Sequence, residues 1–444
     1  MRKVLLAAAG GLLCAYSAGG LAQSYCALDQ PAQLGTAARR YVQISPTLYN
    51  NATSLPGESE ILDPAGGAYV VSSAAADSVG LSIADIVKLR PAGARDLSFG
   101  GFGAVVPASP PAGAEDAAIT QDSSGNIVIA IMAGDGASLV LHRYSAAGNL
   151  DTTYGASGTA TIPAQITGPW AIEAASDGSV LVVAGALPDA SSQGWEPVVL
   201  KVTPAGALDT SFGIGGFSYF NTGAFGPFGK ATDLSIRPDG TILVGGRVGD
   251  NHTYDYFMVA RLLADGALDT SFGTNAGMTT VSFGNTIGDG RKMAVQADGS
   301  IVLVGGVGSQ GGSDTGIIRL TANGFPDPSF NGTGSQRIPG FHGYEVALEG
   351  DKILIAGTQP SGPQTTSATV ARLTESGQLD PTFGDQHSGM LTLQVPGAAG
   401  ASPSRIVYSP ESGIQLLVVG TDGTGTVYTE YLARLGAGAG AACR

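Results

Sequence analysis

The side chains able to do chemistry in this chain divide into those that recur at regular intervals and those that occur once. Among the second kind are both tryptophans, Trp170 and Trp195, and two of the four histidines, His252 and His342. Close to them in sequence stand Lys230, Arg291, Lys292, Tyr344, Glu345 and Arg405, together with Asp233, Asp250, Tyr254 and Asp255. Indole and phenol rings bury a large apolar face and keep a polar edge, which suits a sugar ring. Imidazole serves as general acid or base near neutrality, and guanidinium or ammonium groups stabilise negative charge. His252 with Asp250, or His342 with Glu345, supplies metal-ligand types. Neither pair has local metal spacing, so a divalent ion would need ligands gathered from separate segments.

Familiar catalytic signatures are absent from the sequence. There is no Gly-x-Ser-x-Gly elbow, and neither Cys26 nor Cys443 has the context of a nucleophile. The stretch 224–232 resembles a phosphate loop, but its glycines stand too close together for the Gly-x-x-x-x-Gly-Lys spacing. Asp135-Gly136 and Asp289-Gly290 are too short to read as calcium loops. No cofactor is implied. The net charge of −14 becomes −16 once Arg2 and Lys3 are removed, and such a protein repels phosphate backbones, so nucleic acid is excluded as a partner.

These residues need a scaffold, and the recurring ones describe it. Asp96, Asp151, Asp209, Asp269, Asp327 and Asp380 are spaced by 55, 58, 60, 58 and 53 residues. A basic residue precedes each by eight positions (Lys88, Arg143, Lys201, Arg261, Arg319, Arg372), and an aromatic follows by three (Phe99, Tyr154, Phe212, Phe272, Phe330, Phe383). The pattern reads as structural: the aspartate takes up turn amides, the base pairs with it, and the ring fills a gap between units. Arg434 continues the basic series but has no such aspartate.

Between these marks lies a turn followed by a β-branched run, as in Asp177-Gly-Ser-Val-Leu-Val-Val, Asp239-Gly-Thr-Ile-Leu-Val, Asp298-Gly-Ser-Ile-Val-Leu-Val and Asp351-Lys-Ile-Leu-Ile. Looser copies start at Asp63, Asp122 and Glu411, making seven. Asp-Gly between apolar runs marks a tight hairpin, and runs apolar on both faces mark strands buried between neighbouring sheets. Each unit reads as four strands, in one case Ala231–Arg237, Thr241–Gly246, Tyr256–Leu262 and Met278–Phe283. With 68 glycines in 444 residues, about twice the usual ~7%, the chain is punctuated as an all-β protein is. The expectation is a seven-bladed β-propeller of four-stranded antiparallel blades over 40–436. An open solenoid would need capping ends.

The segments Gly-Ala-Leu-Asp-Thr-Ser-Phe-Gly (206–213), Pro-Asp-Gly-Thr-Ile-Leu-Val-Gly-Gly (238–246) and Val-Ala-Arg-Leu (259–262) resemble the delta-60 repeat family of bacterial extracytoplasmic proteins. The resemblance covers nearly all of 60–436. It implies propeller blades and carries no shared catalytic motif.

The two ends suggest how the ring closes. Residues 1–22 read as a secretory signal peptide, with Arg2 and Lys3 before the apolar Val4–Tyr16 stretch and Gly20-Leu21-Ala22 at the cleavage site. Residues 23–39 form a segment carrying Cys26, and 437–444 a Gly-rich tail carrying Cys443. In the oxidising compartment outside the cytoplasm these two cysteines are expected to form a disulfide. The last unit supplies strands near Arg405–Tyr408, Ile414–Val419 and Val427–Leu435, and a strand near Tyr41–Ile44 is expected to complete it. N- and C-terminal strands would thus share one blade.

In such a ring, the loop leading into each inner strand and the loop joining strands two and three open on one face around the central channel. That face gathers the unrepeated set: Trp170, Lys230, Arg291, Lys292, His342, Tyr344, Glu345 and Arg405 from the first loops, Trp195 and His252 from the second. Glu115, Asp116, Asp135, Asp314 and Asp422 fall there too. Three functions fit: a secreted or periplasmic binding or scaffold propeller engaging a glycan or cell-envelope protein; a lyase or hydrolase using His342 or His252 with Arg291, Lys292 or Arg405; and a purely structural module. No membrane span follows the signal segment, and a closed ring without free sheet edges is expected to be a monomer.

Overall fold

The computed structural model describes residues 32–33, 60–62, 67–76, 80–90, 96–101, 103–105, 117–133, 137–186, 195–220, 228–249, 255–284, 287–308, 314–362, 365–393, 395, 398–410, 413–421 and 428–435. They form antiparallel four-stranded sheets placed one after another along the chain. Six are complete blades of four consecutive strands: 60–105, 117–163, 166–219, 228–281, 287–338 and 342–392. The expectation of a seven-bladed propeller is corrected here: six blades are built of four consecutive strands. The remaining sheet is a composite of Gly400–Ser409, Gly413–Thr421 and Tyr428–Leu435 with a two-residue strand, Ala32–Gln33, paired to Leu432 and Tyr431.

The closing strand therefore differs from the expected one near Tyr41–Ile44, which lies outside the described residues. The reason is physical. A sheet edge offers backbone N–H and C=O groups, so any extended segment that reaches it can pair, whatever its side-chain pattern. Cys26, Cys443 and residues 1–22 also lie outside the described residues.

The core is divided among the sheet interfaces. The second strands of blades 2, 3 and 5, Ile127–Met132, Val180–Ala186 and Ile301–Gly308, are buried along their length. Their two faces pack on different neighbours, which is why the alternation of a half-exposed strand is missing from these runs. The composite sheet packs on blade 6 through Leu416 and Val418 and on blade 1 through Leu417 and Val407, which meet Leu62, Ala68 and Val70. The series of packed interfaces thus returns to its start.

Each repeated aspartate does what its spacing implied. The Asp269 carboxylate accepts the Ser271 backbone N–H at 3.0 Å and its hydroxyl at 2.6 Å, and pairs with Arg261 at 2.7 Å. The Arg261 guanidinium lies 4.7 Å from the centroid of the buried Phe272 ring. Gly273 N–H then donates to the Asn323 carbonyl of the next blade at 2.8 Å. Gly324 of that turn sits at φ +84, and a Cβ there would come 2.5 Å from the Phe272 ring, so two constraints demand glycine. The same bond links Gly100 to Ala147, Gly155 to Ala205 and Gly213 to Asp265. These units act as latches between blades.

Candidate functional site

The latches and the Asp-Gly turns occupy one end of every blade. The start of the inner strand, the end of the second and the start of the third occupy the other, around the channel mouth. Inner strands there are interrupted by β-bulges, between Ala231 and Asp233, Gly290 and Lys292, Gly343 and Glu345, and Pro403 and Arg405. A bulge leaves one residue out of the ladder and re-aims its side chain. The residues so released are Thr232, Arg291, Tyr344 and Ser404. Register makes Lys230, Asp289 and His342 equivalent before the bulge, and Asp233, Lys292, Glu345 and Arg405 equivalent after it.

Between blades 3 and 4 the mouth opens into a cleft of about 360 Å3 lined by Thr167, Trp170, Trp195, Phe228, Lys230, Arg247 and Asp255. Three of the expected ligand residues, Trp170, Trp195 and Lys230, are thus brought together from separate segments. Gly229 N–H donates to the Trp195 carbonyl at 2.7 Å, tying the two blades at this point. Lys230 Nζ stands 4.3 Å from the Trp170 ring centroid. A Cβ on Gly185 would lie 3.2 Å from the same indole, so Trp170 is held between glycine backbone and the ammonium. Trp195 and Phe228 are half-buried.

The cleft continues into a network of charges. Arg247 pairs with the buried Asp255 at 2.7 Å and reaches Asp289 at 3.6 Å. Asp289 accepts from Arg291 Nε at 2.8 Å. Burial alone would raise the Asp289 carboxyl, but Arg291, Arg247 and Lys230 outweigh it and hold its pKa at about 2. The Arg291 guanidinium in turn lies 6.0 Å from the Tyr344 ring centroid, and the His342 and Tyr344 rings meet edge to face at 5.5 Å. Burial and the nearby Arg291 lower the proton affinity of His342, with Asp289 opposing, so the imidazole is neutral near pH 7. Burial pushes the Tyr344 hydroxyl above the usual phenol range. His342 Nε2 and the Tyr344 hydroxyl are both buried without a hydrogen bond of normal geometry, although Ser402 lies beside Tyr344.

Other expected residues serve the scaffold. Asp233 accepts Met293 N–H of the next blade at 2.7 Å and pairs with Lys292 at 3.6 Å. Glu345 and Arg405 approach at 3.8 Å across the last two sheets. Asp314 is engaged by Arg337 at 2.7 Å and by Gly340 N–H. His252, Tyr254, Asp250, Glu115, Asp116, Asp135 and Asp422 lie outside the described residues. Among the described residues no three His, Cys, Asp or Glu side chains gather as a metal site.

Arg247 and Asp289 were missed as site residues. Arg247 carried a readable signal, since it stands where the next repeat has Gly306 in otherwise matching strands. Asp289 gave none, because its partners come from different blades.

Three stretches, 237–272, 296–330 and 351–383, match a domain of unknown function described as the DUF5122 β-propeller. The chain carries β-propeller repeats. No functionally curated protein matches its sequence. Among solved structures, it is similar to a polysaccharide lyase, at 11% identity over 92% of this chain and 98% of that one, with a TM-score of 0.49. A periplasmic gluconolactonase of Pseudomonas aeruginosa is 12% identical over 84% of this chain and 97% of its own, with a TM-score of 0.45. Extracellular domains of Drosophila semaphorin 1a are 9% identical over 86% of both chains, with a TM-score of 0.43. At these identities the likeness concerns the fold alone.

Proposed function

We propose that this is an exported, non-catalytic propeller that binds a glycan at the channel mouth. The observation that carries the reading is the cleft between blades 3 and 4, where both tryptophans of the chain stand with Lys230 and Arg247. Aromatic walls with a few fixed polar groups are what a sugar-binding pocket requires. Export rests on residues 1–22, and the Cys26–Cys443 disulfide rests on that compartment. The repeats are assigned to the delta-60 type on the segments quoted above.

The alternative, a lyase or hydrolase with His342 as acid or base, has less support. Burial and the nearby Arg291 disfavour the protonated imidazole that a general acid requires.

A ligand that binds only the folded state raises apparent stability, so a thermal-shift screen of residues 23–444 against a glycan panel is the direct test. The expected result is a shift with at least one glycan. Trp195→Ala should weaken that affinity by about 1 kcal/mol or more, as truncating a buried aromatic anchor does. A flat response across the panel sinks the reading.

A further inference from the structure

The arginines paired at the channel mouth are more exposed than the arginines paired in the latches. The latch arginines Arg143, Arg261, Arg319 and Arg372 expose 16, 16, 5 and 7% of their side chains. At the mouth Arg247, Arg291 and Arg405 expose 25, 29 and 27%, while their carboxylates Asp255, Asp289 and Glu345 expose 2, 15 and 9%. In each pair the guanidinium is more exposed than its carboxylate, so the cationic member is the more accessible one to a ligand. This happens on a chain whose net charge is −14, so the positive surface is a local construction.

A second, independent observation points to the same place. The Tyr344 side chain is 3% exposed, yet its hydroxyl makes no good hydrogen bond, and neither does His342 Nε2. Buried polar atoms are paired in the great majority of cases, and those that are not call for a partner. Both atoms belong to side chains packed beside the Arg291 guanidinium. A guanidinium matches a carboxylate through its planar fork of donors, and a neutral imidazole with a phenol serves ring hydroxyls.

We propose that the glycan is acidic, a uronate-bearing oligosaccharide whose carboxylate is received at Arg291 beside Tyr344 and His342 while a neighbouring sugar occupies the tryptophan cleft. This rests on the glycan-binding reading and narrows it. Asp289 is a positioning residue, joining Arg247 of the cleft to Arg291 of the second subsite.

The test is titration calorimetry of the mature chain with tetramers of galacturonate, glucuronate, mannuronate and guluronate, each beside its carboxyl-reduced twin. One uronate is expected to bind at least tenfold more tightly than its reduced twin. Arg291→Gln should abolish that preference, bringing the uronate's affinity down to that of its reduced twin. Tyr344→Phe keeps the ring against Arg291 and should reduce the preference by a smaller factor, which guards against a misfolded Arg291 variant. Equal binding of uronate and twin, with Trp195→Ala weakening both, would overturn the acidic ligand and leave the glycan reading standing. A sulfated neutral tetramer binding as tightly as the uronate would overturn the carboxylate assignment. Absence of binding by all of them would overturn both.

Discussion

The two ends of the blades use the same materials, arginine, aspartate and an aromatic ring, for opposite purposes. At the latch end Arg319 pairs with Asp327 at 2.8 Å, lies 5.1 Å from the Phe330 ring centroid, and is almost wholly buried. At the mouth Arg291 pairs with Asp289 at 2.8 Å, lies 6.0 Å from the Tyr344 ring centroid, and is 29% exposed. The latch is repeated, and its bases and aspartates pair with one another within the fold. The mouth is unrepeated, and its Tyr344 hydroxyl and His342 Nε2 are buried without a hydrogen bond of normal geometry, as the Tyr154 hydroxyl is at one latch. Repetition thus marks what holds the ring, and departure from it marks what the ring holds.

The largest effect should come from striking one element of each kind. Phe330 is fully buried, and a Cβ on Gly377 of the following blade would lie 2.7 Å from its ring. Phe330→Ala removes an aromatic plug between two blades and should cost about 3–5 kcal/mol, read as a fall in the denaturant midpoint. Tyr344→Phe deletes a buried hydroxyl that lies beside Ser402 without a hydrogen bond of normal geometry, so stability should stay unchanged or rise. If the two variants destabilise equally, the division between latch and mouth is wrong.

That division was visible in the sequence only on the latch side. Aspartate, base and aromatic keep fixed offsets because each latch closes over a dozen residues of its own strand and turn. The Asp-Gly turns were legible for the same reason: Gly240 takes φ +84 between Ile236 and Ile242, a local requirement. The mouth is assembled from inner strands some sixty residues apart, as Asp233 and Met293 are. Trp170, Lys230 and Arg291 could be named as candidates because they broke the repeat. Their joining by Asp289 through blade geometry was not legible, nor were the bulges that re-aim Arg291 and Tyr344. The closing strand was placed near Tyr41–Ile44 rather than at Ala32–Gln33 because a two-residue edge pairing leaves no periodic trace.

Acid should separate the two ends next. All six latch aspartates have carboxyl pKa values held below the ordinary range, chiefly by the serine or threonine two residues on and by the paired base. For Asp327 and Asp380 burial is the largest influence and opposes this, but the hydrogen bonds and nearby bases outweigh it. A depressed folded-state pKa gives stability that is fully present above the unfolded value, about 3.9 for aspartate, and is lost as pH falls through the folded value. The melting temperature should therefore be level near neutrality and drop progressively below about pH 4. Asp289 adds a term of the same sign, with its pKa at about 2. Six latches against one mouth carboxylate means that Asp380→Asn or Asp269→Asn should each flatten part of the acid slope, while ligand affinity at neutral pH stays put. A slope unaffected by either latch variant but removed by Asp289→Asn would place the acid-sensitive ion pairs at the wrong end.

The smallest effect tests how firmly the mouth is set before any ligand arrives. Lys230 sits over Trp170 at 4.3 Å, and the indole is backed by Gly185. A cation over an indole face at a part-exposed site contributes about 0.5–1 kcal/mol. A double-mutant cycle of Lys230→Met and Trp170→Phe isolates that coupling from the area each side chain buries. Coupling of this size in the unliganded protein means that the ammonium is already aimed and that the cleft loses little entropy on binding. If coupling is absent until ligand is added, Lys230 is ordered by the ligand, and the mouth is a surface that the sugar completes. The latches of Arg143, Arg261 and Arg319 admit no such ambiguity, because each guanidinium is held by both a carboxylate and a carbonyl of the next blade, as Arg143 is by Asp151 and Pro204.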